Sequence, residues 1–141
     1  MAIESPDRSV LQSNKMSLLV YKILPAATWY SAESVGEFAG AGIDLEDGFI
    51  HLSNATQVQK TADLYFADQS DLMLVAFRTE PLGALLRWES PRGDATTEER
   101  KQQAFPHYYG KLSTKHVAWT RRIKQDASGR NVVDLTGEED A

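Results

Sequence analysis

Six consecutive apolar residues, Leu72-Met73-Leu74-Val75-Ala76-Phe77, constrain this chain more than any other stretch of it. A strand with one solvated face alternates polar and apolar side chains, so an unbroken run of this length predicts a strand covered on both faces. It is therefore the expected centre of a sheet, and the other elements are read outward from it. Upstream, Leu18 to Leu24 is rich in β-formers and predicts a strand. Pro25 followed by Ala26, Ala27 and Trp29 starts a short helix. Gly36, Gly40 and Gly42 then break regular structure, and the stretch from Gly36 to Gly48 is read as a loop long enough to cover a site.

Phe49-Ile50-His51-Leu52 predicts a short strand, with Ser53 or Asn54 placed to cap the helix that follows. In that helix Ala55, Val58, Ala62, Tyr65 and Phe66 form an apolar stripe that should pack on a sheet. Gln57, Gln59, Lys60 and Asp63 face water. Downstream of the central run, Pro81 and Gly83 make a turn, Leu85 to Glu89 is a short strand, and Ser90 to Gln103 is a polar loop. Val117-Ala118-Trp119 and Val132 to Leu135 suggest two final strands joined as a hairpin through Asp126-Ala127-Ser128-Gly129. Strands in irregular alternation with few helices predict an α+β fold with a mixed, mostly antiparallel sheet. Residues 1–16 are polar and aperiodic and are read as a flexible extension, 17–135 as one α+β domain, and 136–141 as an acidic tail.

Composition narrows the function classes. The chain has 141 residues and no cysteine, which excludes a disulfide framework, a thiol nucleophile and a zinc-thiolate cluster. No apolar run approaches the roughly twenty residues needed to cross a bilayer, and the N-terminal residues lack the apolar centre of a signal peptide, so a cytoplasmic protein with no membrane partner is expected. The net charge is −5, but Asp134, Glu138, Glu139 and Asp140 account for four of the 20 acids. Without them the balance is 16 acids against 15 bases, and the domain itself is close to neutral. Lys111, Lys115, Arg121, Arg122 and Lys124 lie in a stretch without acids and could form a positive surface for a phosphate-bearing ligand.

Alternation along strands supplies the candidate site. His51 and Ser53 share one face, opposite Ile50 and Leu52, while Arg87 and Glu89 share a face opposite Leu86 and Trp88. Phe105-Pro106-His107-Tyr108-Tyr109-Gly110 concentrates aromatic rings, a histidine, a geometry-fixing proline and a permissive glycine. There His107 with Tyr108 or Tyr109 could hydrogen-bond a ribose or phosphate, and a tyrosine ring could stack on a base or pyridine. His116 is read as a structural or surface residue of a strand. His51, His107 and Glu89 lack the close spacing of a metal-binding motif, and no metal is expected. The glycine-rich loops of dinucleotide and P-loop proteins are absent, as is the elbow around a serine nucleophile.

Taken together, Asp47-Gly48-Phe49-Ile50-His51-Leu52-Ser53, Thr61-Ala62, Trp88-Glu89 and Phe105 to Leu112 resemble a bacterial family, domain of unknown function 952. The resemblance spans roughly Val20 to Arg122. The fold it implies resembles the ADP-ribosyltransferases, a split mixed sheet around a cleft that grips the nicotinamide half of NAD. The nearest echo there is the RNA 2'-phosphotransferase group, whose His-Leu-Ser strand His51, Leu52 and Ser53 match. By that resemblance His51 contacts the nicotinamide side of a nucleotide, Glu89 takes the late catalytic glutamate position, and Tyr21 and Lys22 stand in the strand where that group carries a histidine.

The enzyme reading is cleavage of the nicotinamide ribosyl bond of NAD, with NAD as substrate and no cofactor required. His51 and Glu89 are then the catalytic pair, and Ser53, Arg87, His107, Tyr108, Tyr109 and Gly110 bind the ligand. The acceptor would be water, a phosphate, RNA or protein, and the protein itself is expected as a monomer or weak dimer. A second reading keeps the same cleft as a non-catalytic module for a nucleotide, a phosphorylated metabolite or a macromolecule end. A third places every histidine and tyrosine in the core and predicts no pocket.

Overall fold

The computed structural model describes residues 18–89 and 104–136. The expected extension 1–16, the polar loop 90–103 and the tail from 137 onward lie outside the described residues. Strand β1 (Leu19–Pro25) pairs antiparallel with β4 (Leu72–Arg78), which pairs antiparallel with β8 (Val117–Arg122), so β4 is the middle of its sheet. A second three-stranded sheet is ordered β3 (Ile50–His51), β6 (Phe105–Tyr108), β5 (Leu86–Glu89). Two short ribbons complete the described strands: β2 (Glu37–Phe38) with β7 (Leu112–Ser113), and β9 (Lys124–Gln125) with β10 (Asn131–Val132).

The unbroken apolar run of β4 has a direct cause. Met73, Val75 and Phe77 point into one cluster with Val20, Leu24, Trp29, Ile50 and Leu52. Leu72, Leu74 and Ala76 point into the other with Tyr21, Ile23, Val58, Ala62 and Ile123. With a core on each face, every position of the run is buried, and polar alternation has no place in it. Trp29, from helix α1 (Ala26–Val35), meets Phe77 edge-on with centroids 6.1 Å apart. Helix α1 ends at Gly36, whose left-handed φ of 98° lets its N–H reach Ala32 O.

Several expectations are corrected. All pairings among the described residues are antiparallel, so the expected mixed sheet has no parallel ladder there. The stretch 36–48 is not one loop. It holds β2 and a five-residue helix, α2 (Ile43–Asp47), closed by Gly48 at φ 84°. Helix α3 (Val58–Tyr65) packs through Val58 and Ala62, with Phe66 partly buried beyond its end, whereas Ala55 and Tyr65 are exposed. Asn54, not Ser53, closes the turn that leads into it: Asn54 Oδ1 accepts from Gln57 N while Gln57 Oε1 accepts from Asn54 N, a reciprocal pair of the capping-box kind. Gln57 and Gln59 tie the helix to the chain rather than face water, through Ala104 O for the first and Asn131 O and Val133 N for the second. The final hairpin joins β9 to β10 rather than starting from β8, which is paired with β4. His116 lies in a short 3-10 turn rather than in a strand.

Candidate functional site

The site is built by the pleat of the second sheet. Across its three strands Ile50, Tyr108 and Leu86 align in one row, and His51, His107 and Arg87 align in the next. Neighbouring rows point to opposite faces, so the first row enters the core and the second turns away from it. Residues two positions along each chain share that outer face. Phe49 therefore joins His51, Tyr109 joins His107, and Glu89 joins Arg87.

These six side chains contact one another. The Phe49 ring stacks on His107 at 4.2 Å and lies 4.7 Å from His51 and 5.2 Å from Tyr109, centroid to centroid. Glu89 Oε1 accepts both from the His107 ring, at Nδ1, and from the Tyr109 hydroxyl, each at 2.8 Å. Arg87 lays its guanidinium over the Tyr109 ring, 4.5 Å from the centroid. The two imidazoles sit edge-on, 5.5 Å apart.

Helix α2 adds a second layer. Asp44 and Asp47, three residues apart on it, reach the two ring nitrogens of His51: Asp44 Oδ1 lies 2.7 Å from Nδ1 and Asp47 Oδ2 lies 2.9 Å from Nε2. Asp44 is only 3% exposed and is satisfied from several directions. Lys22 Nζ donates to it at 3.0 Å and 3.2 Å, and the backbone N–H groups of His51 and Ala41 donate at 3.0 Å and 3.2 Å. Lys22 also donates to His51 O, so a β1 residue locks β3 and α2 together.

The electrostatics follow from this wiring. Burial works against ionising Asp44, but the Lys22 charge and the hydrogen bonds from His51 and Lys22 outweigh it and hold the carboxyl below its ordinary value. Burial lowers the Lys22 ammonium against the pull of Asp44. Glu89 is likewise lowered: partial burial opposes ionisation, and the hydrogen bonds from His107 and Tyr109 with the nearby Arg87 charge prevail. Burial lowers His107 despite its bond to Glu89, so an ionised carboxylate faces a neutral ring at neutral pH. The Tyr109 hydroxyl, donating to Glu89, is raised.

Between α2 and the Tyr109-Gly110 corner lies an open recess of about 260 Å³ lined by Ala39, Asp44, Leu45, Gly48, Phe49, Tyr109 and Gly110. A side chain at Gly110 would meet Leu85 Cδ1 at 3.1 Å and the Tyr108 ring at 3.2 Å, so it would have to push these side chains aside by a few tenths of an ångström.

Of the residues singled out from sequence, His51, Arg87, Glu89, His107 and Tyr109 are brought together, and Gly110 borders the recess. Ser53 and Tyr108 are not. Ser53 leaves β6 to bridge Tyr21, and its hydroxyl bonds Thr61 Oγ1 at 2.9 Å. Tyr108 sits in the core on the opposite face from His107. The basic stretch is partly neutralised by acids from elsewhere, through Lys111 with Glu37, Arg121 with Asp134 and Arg122 with Asp71. Lys22, Asp44, Asp47 and Phe49 were not singled out as site residues. The signal for Lys22 was a lone cation inside an apolar strand, which requires a buried partner. No group of metal-ligating side chains suited to an ion occurs among the described residues. No helix among them is long and apolar enough to cross a membrane.

An antiparallel α+β domain with an aromatic, histidine-carboxylate site on one sheet face is the class these observations define. Residues 23–120 match the family described as Protein of unknown function (DUF952), and the chain belongs to that family. It is similar to protein CC0527 from Caulobacter crescentus. The crystal structure of that protein is 42% identical, with 81% of this chain and 93% of that chain covered and a TM-score of 0.70. Its solution NMR structure is 44% identical, with 79% and 90% covered and a TM-score of 0.66. No curated protein matches the chain.

Proposed function

We propose that this face binds a nucleotide of the NAD or ADP-ribose type and cleaves the bond between nicotinamide and ribose. The observation that carries the reading is Glu89: a carboxylate kept ionised by His107 and Tyr109, beside a stacked aromatic wall and an arginine. Loss of nicotinamide builds positive charge on the ribose, and an ionised carboxylate held in place stabilises that charge. Phe49 and Tyr109 offer ring faces to a base or pyridinium. Arg87 is the cation for a phosphate. The resemblance to the ADP-ribosyltransferases supports the same substrate, with NAD as substrate rather than as a bound cofactor, in a cytoplasmic monomer or weak dimer as the sequence reading expects.

A second reading is binding without chemistry. It is favoured by His51, both of whose ring nitrogens are already engaged by Asp44 and Asp47, so the ring positions and does not react.

A thermal-shift titration with NAD, ADP-ribose, nicotinamide and a 2'-phosphorylated RNA oligonucleotide tests the reading, because a ligand of the folded state raises its melting temperature. A saturable rise with NAD or ADP-ribose that is lost in Glu89→Gln and Arg87→Ala supports it. The absence of any rise with all four ligands contradicts it. A rise with NAD but no nicotinamide release selects the second reading.

A further inference from the structure

The two histidines are wired differently, and that difference assigns a role. His51 has a carboxylate on each ring nitrogen. His107 has one, Glu89 at Nδ1, and its Nε2 has no hydrogen-bond partner among the described residues. The His107 side chain keeps 11% of its surface exposed. A carboxylate only accepts, which places the proton of the neutral ring on Nδ1 and the lone pair on Nε2. The ring cannot swing away: Phe49 stacks on it at 4.2 Å and Glu89 holds its other side.

We propose that His107 takes the proton of the attacking acceptor at Nε2, with Glu89, besides stabilising the ribose charge, fixing its tautomer. This rests on the cleavage reading above and adds the acceptor class, a hydroxyl group of water or an alcohol. In the step, the ribose C1' to nicotinamide nitrogen bond breaks and its electron pair leaves with neutral nicotinamide. The acceptor oxygen forms the new bond to C1', and its proton passes to His107 Nε2. The imidazolium that results is balanced by Glu89. A carboxylate acceptor would carry no proton to remove and would leave this arrangement unused.

The charged and titratable groups facing His107 are Glu89 and Arg87 from β5, His51 from β3, Asp47 from α2 and Tyr109 after β6. Of these, Glu89 and Asp47 favour the protonated ring and His51 opposes it, while burial, the largest influence, keeps it neutral.

The test is nicotinamide release from NAD across pH for wild type and His107→Gln, paired with ¹⁵N NMR of the wild-type imidazoles. Expected are an Nδ1–H tautomer for His107, a loss of about a hundredfold or more in kcat for His107→Gln with KM little changed, and disappearance of the acid limb of the pH profile. An Nε2–H tautomer in the folded wild type overturns the proposal without any variant. So does a His107→Gln protein that keeps kcat within twofold and the same acid limb, and in that case the cleavage reading survives. Wild type that binds NAD yet releases no nicotinamide overturns both.

Discussion

Asp44 shows how much one buried carboxylate can organise. Its oxygens receive Lys22, the His51 ring and two backbone N–H groups, which connect β1, β3 and α2. Leaving a buried charge without its partner costs about 3–5 kcal/mol, whereas replacing a whole pair by apolar residues often costs little. Lys22→Met should therefore lose stability of about that size in urea unfolding, and the double change Lys22→Met with Asp44→Leu should lose less than the sum of the two singles. Acid acts on Asp44 and on the His107–Glu89 pair of the outer face. His107, Glu89 and Asp44 all have lowered folded values, so the unfolded chain binds more protons as pH falls. Stability present at neutral pH should decline first below about 6.5, the ordinary range of histidine, and again below about 4.3, that of carboxylates. His107→Gln should remove the first decline in urea midpoints measured at pH 7, 5.5 and 4. Period-2 alternation made His51, Arg87 and Glu89 legible, while His107 stood out only by the aromatic segment around it, which left Tyr108 and Tyr109 open. The structure separates them because 105–108 is a strand, which puts Tyr109 with His107 and Tyr108 in the core. The same rule failed at Ser53, since β3 is only two residues long and the chain changes partner before it.

Helix α2 is where element-scale reading ran out. Five residues flanked by glycines carry no helical period, so 36–48 read as a loop, yet this turn delivers Asp44 and Asp47 to His51. Its exit depends on Gly48, at φ 84° and ψ 14°. A side chain in the left-handed region costs about 1–2 kcal/mol. Gly48→Ala should lower stability by that amount and broaden the His51 ring resonances as α2 loosens. The reciprocal Asn54–Gln57 pair in the turn that leads into α3 was legible in part, as a cap at Ser53 or Asn54. Asn54→Ala should cost about 1 kcal/mol in urea unfolding, and Ser53→Ala should not act through the cap. The central strand was legible throughout, because two cores facing one run leave an unmistakable composition. Phe77→Ala there should cost about 3–5 kcal/mol.

At the scale of the whole molecule, the α+β class followed from the order of elements, but the division into two three-stranded sheets did not. It depends on pairings between residues far apart in sequence, such as His51 with His107 and Tyr21 with Ser53, which no local pattern encodes. The Tyr21 and Ser53 backbones exchange hydrogen bonds of 2.8 Å and 2.9 Å and join the two sheets. One sheet then supplies the rigid core and the other presents the histidine face, with Lys22 crossing between them. A nucleotide is expected to bind on this outer face. Backbone amide shifts of the ¹⁵N-labelled protein, followed by NMR during titration with NAD, test it most directly. Saturable shifts concentrated at Gly48, Phe49, Arg87, Tyr109 and Gly110 are expected, with β4 and β8 unmoved. Shifts confined to other surfaces, or none at millimolar NAD, would contradict it.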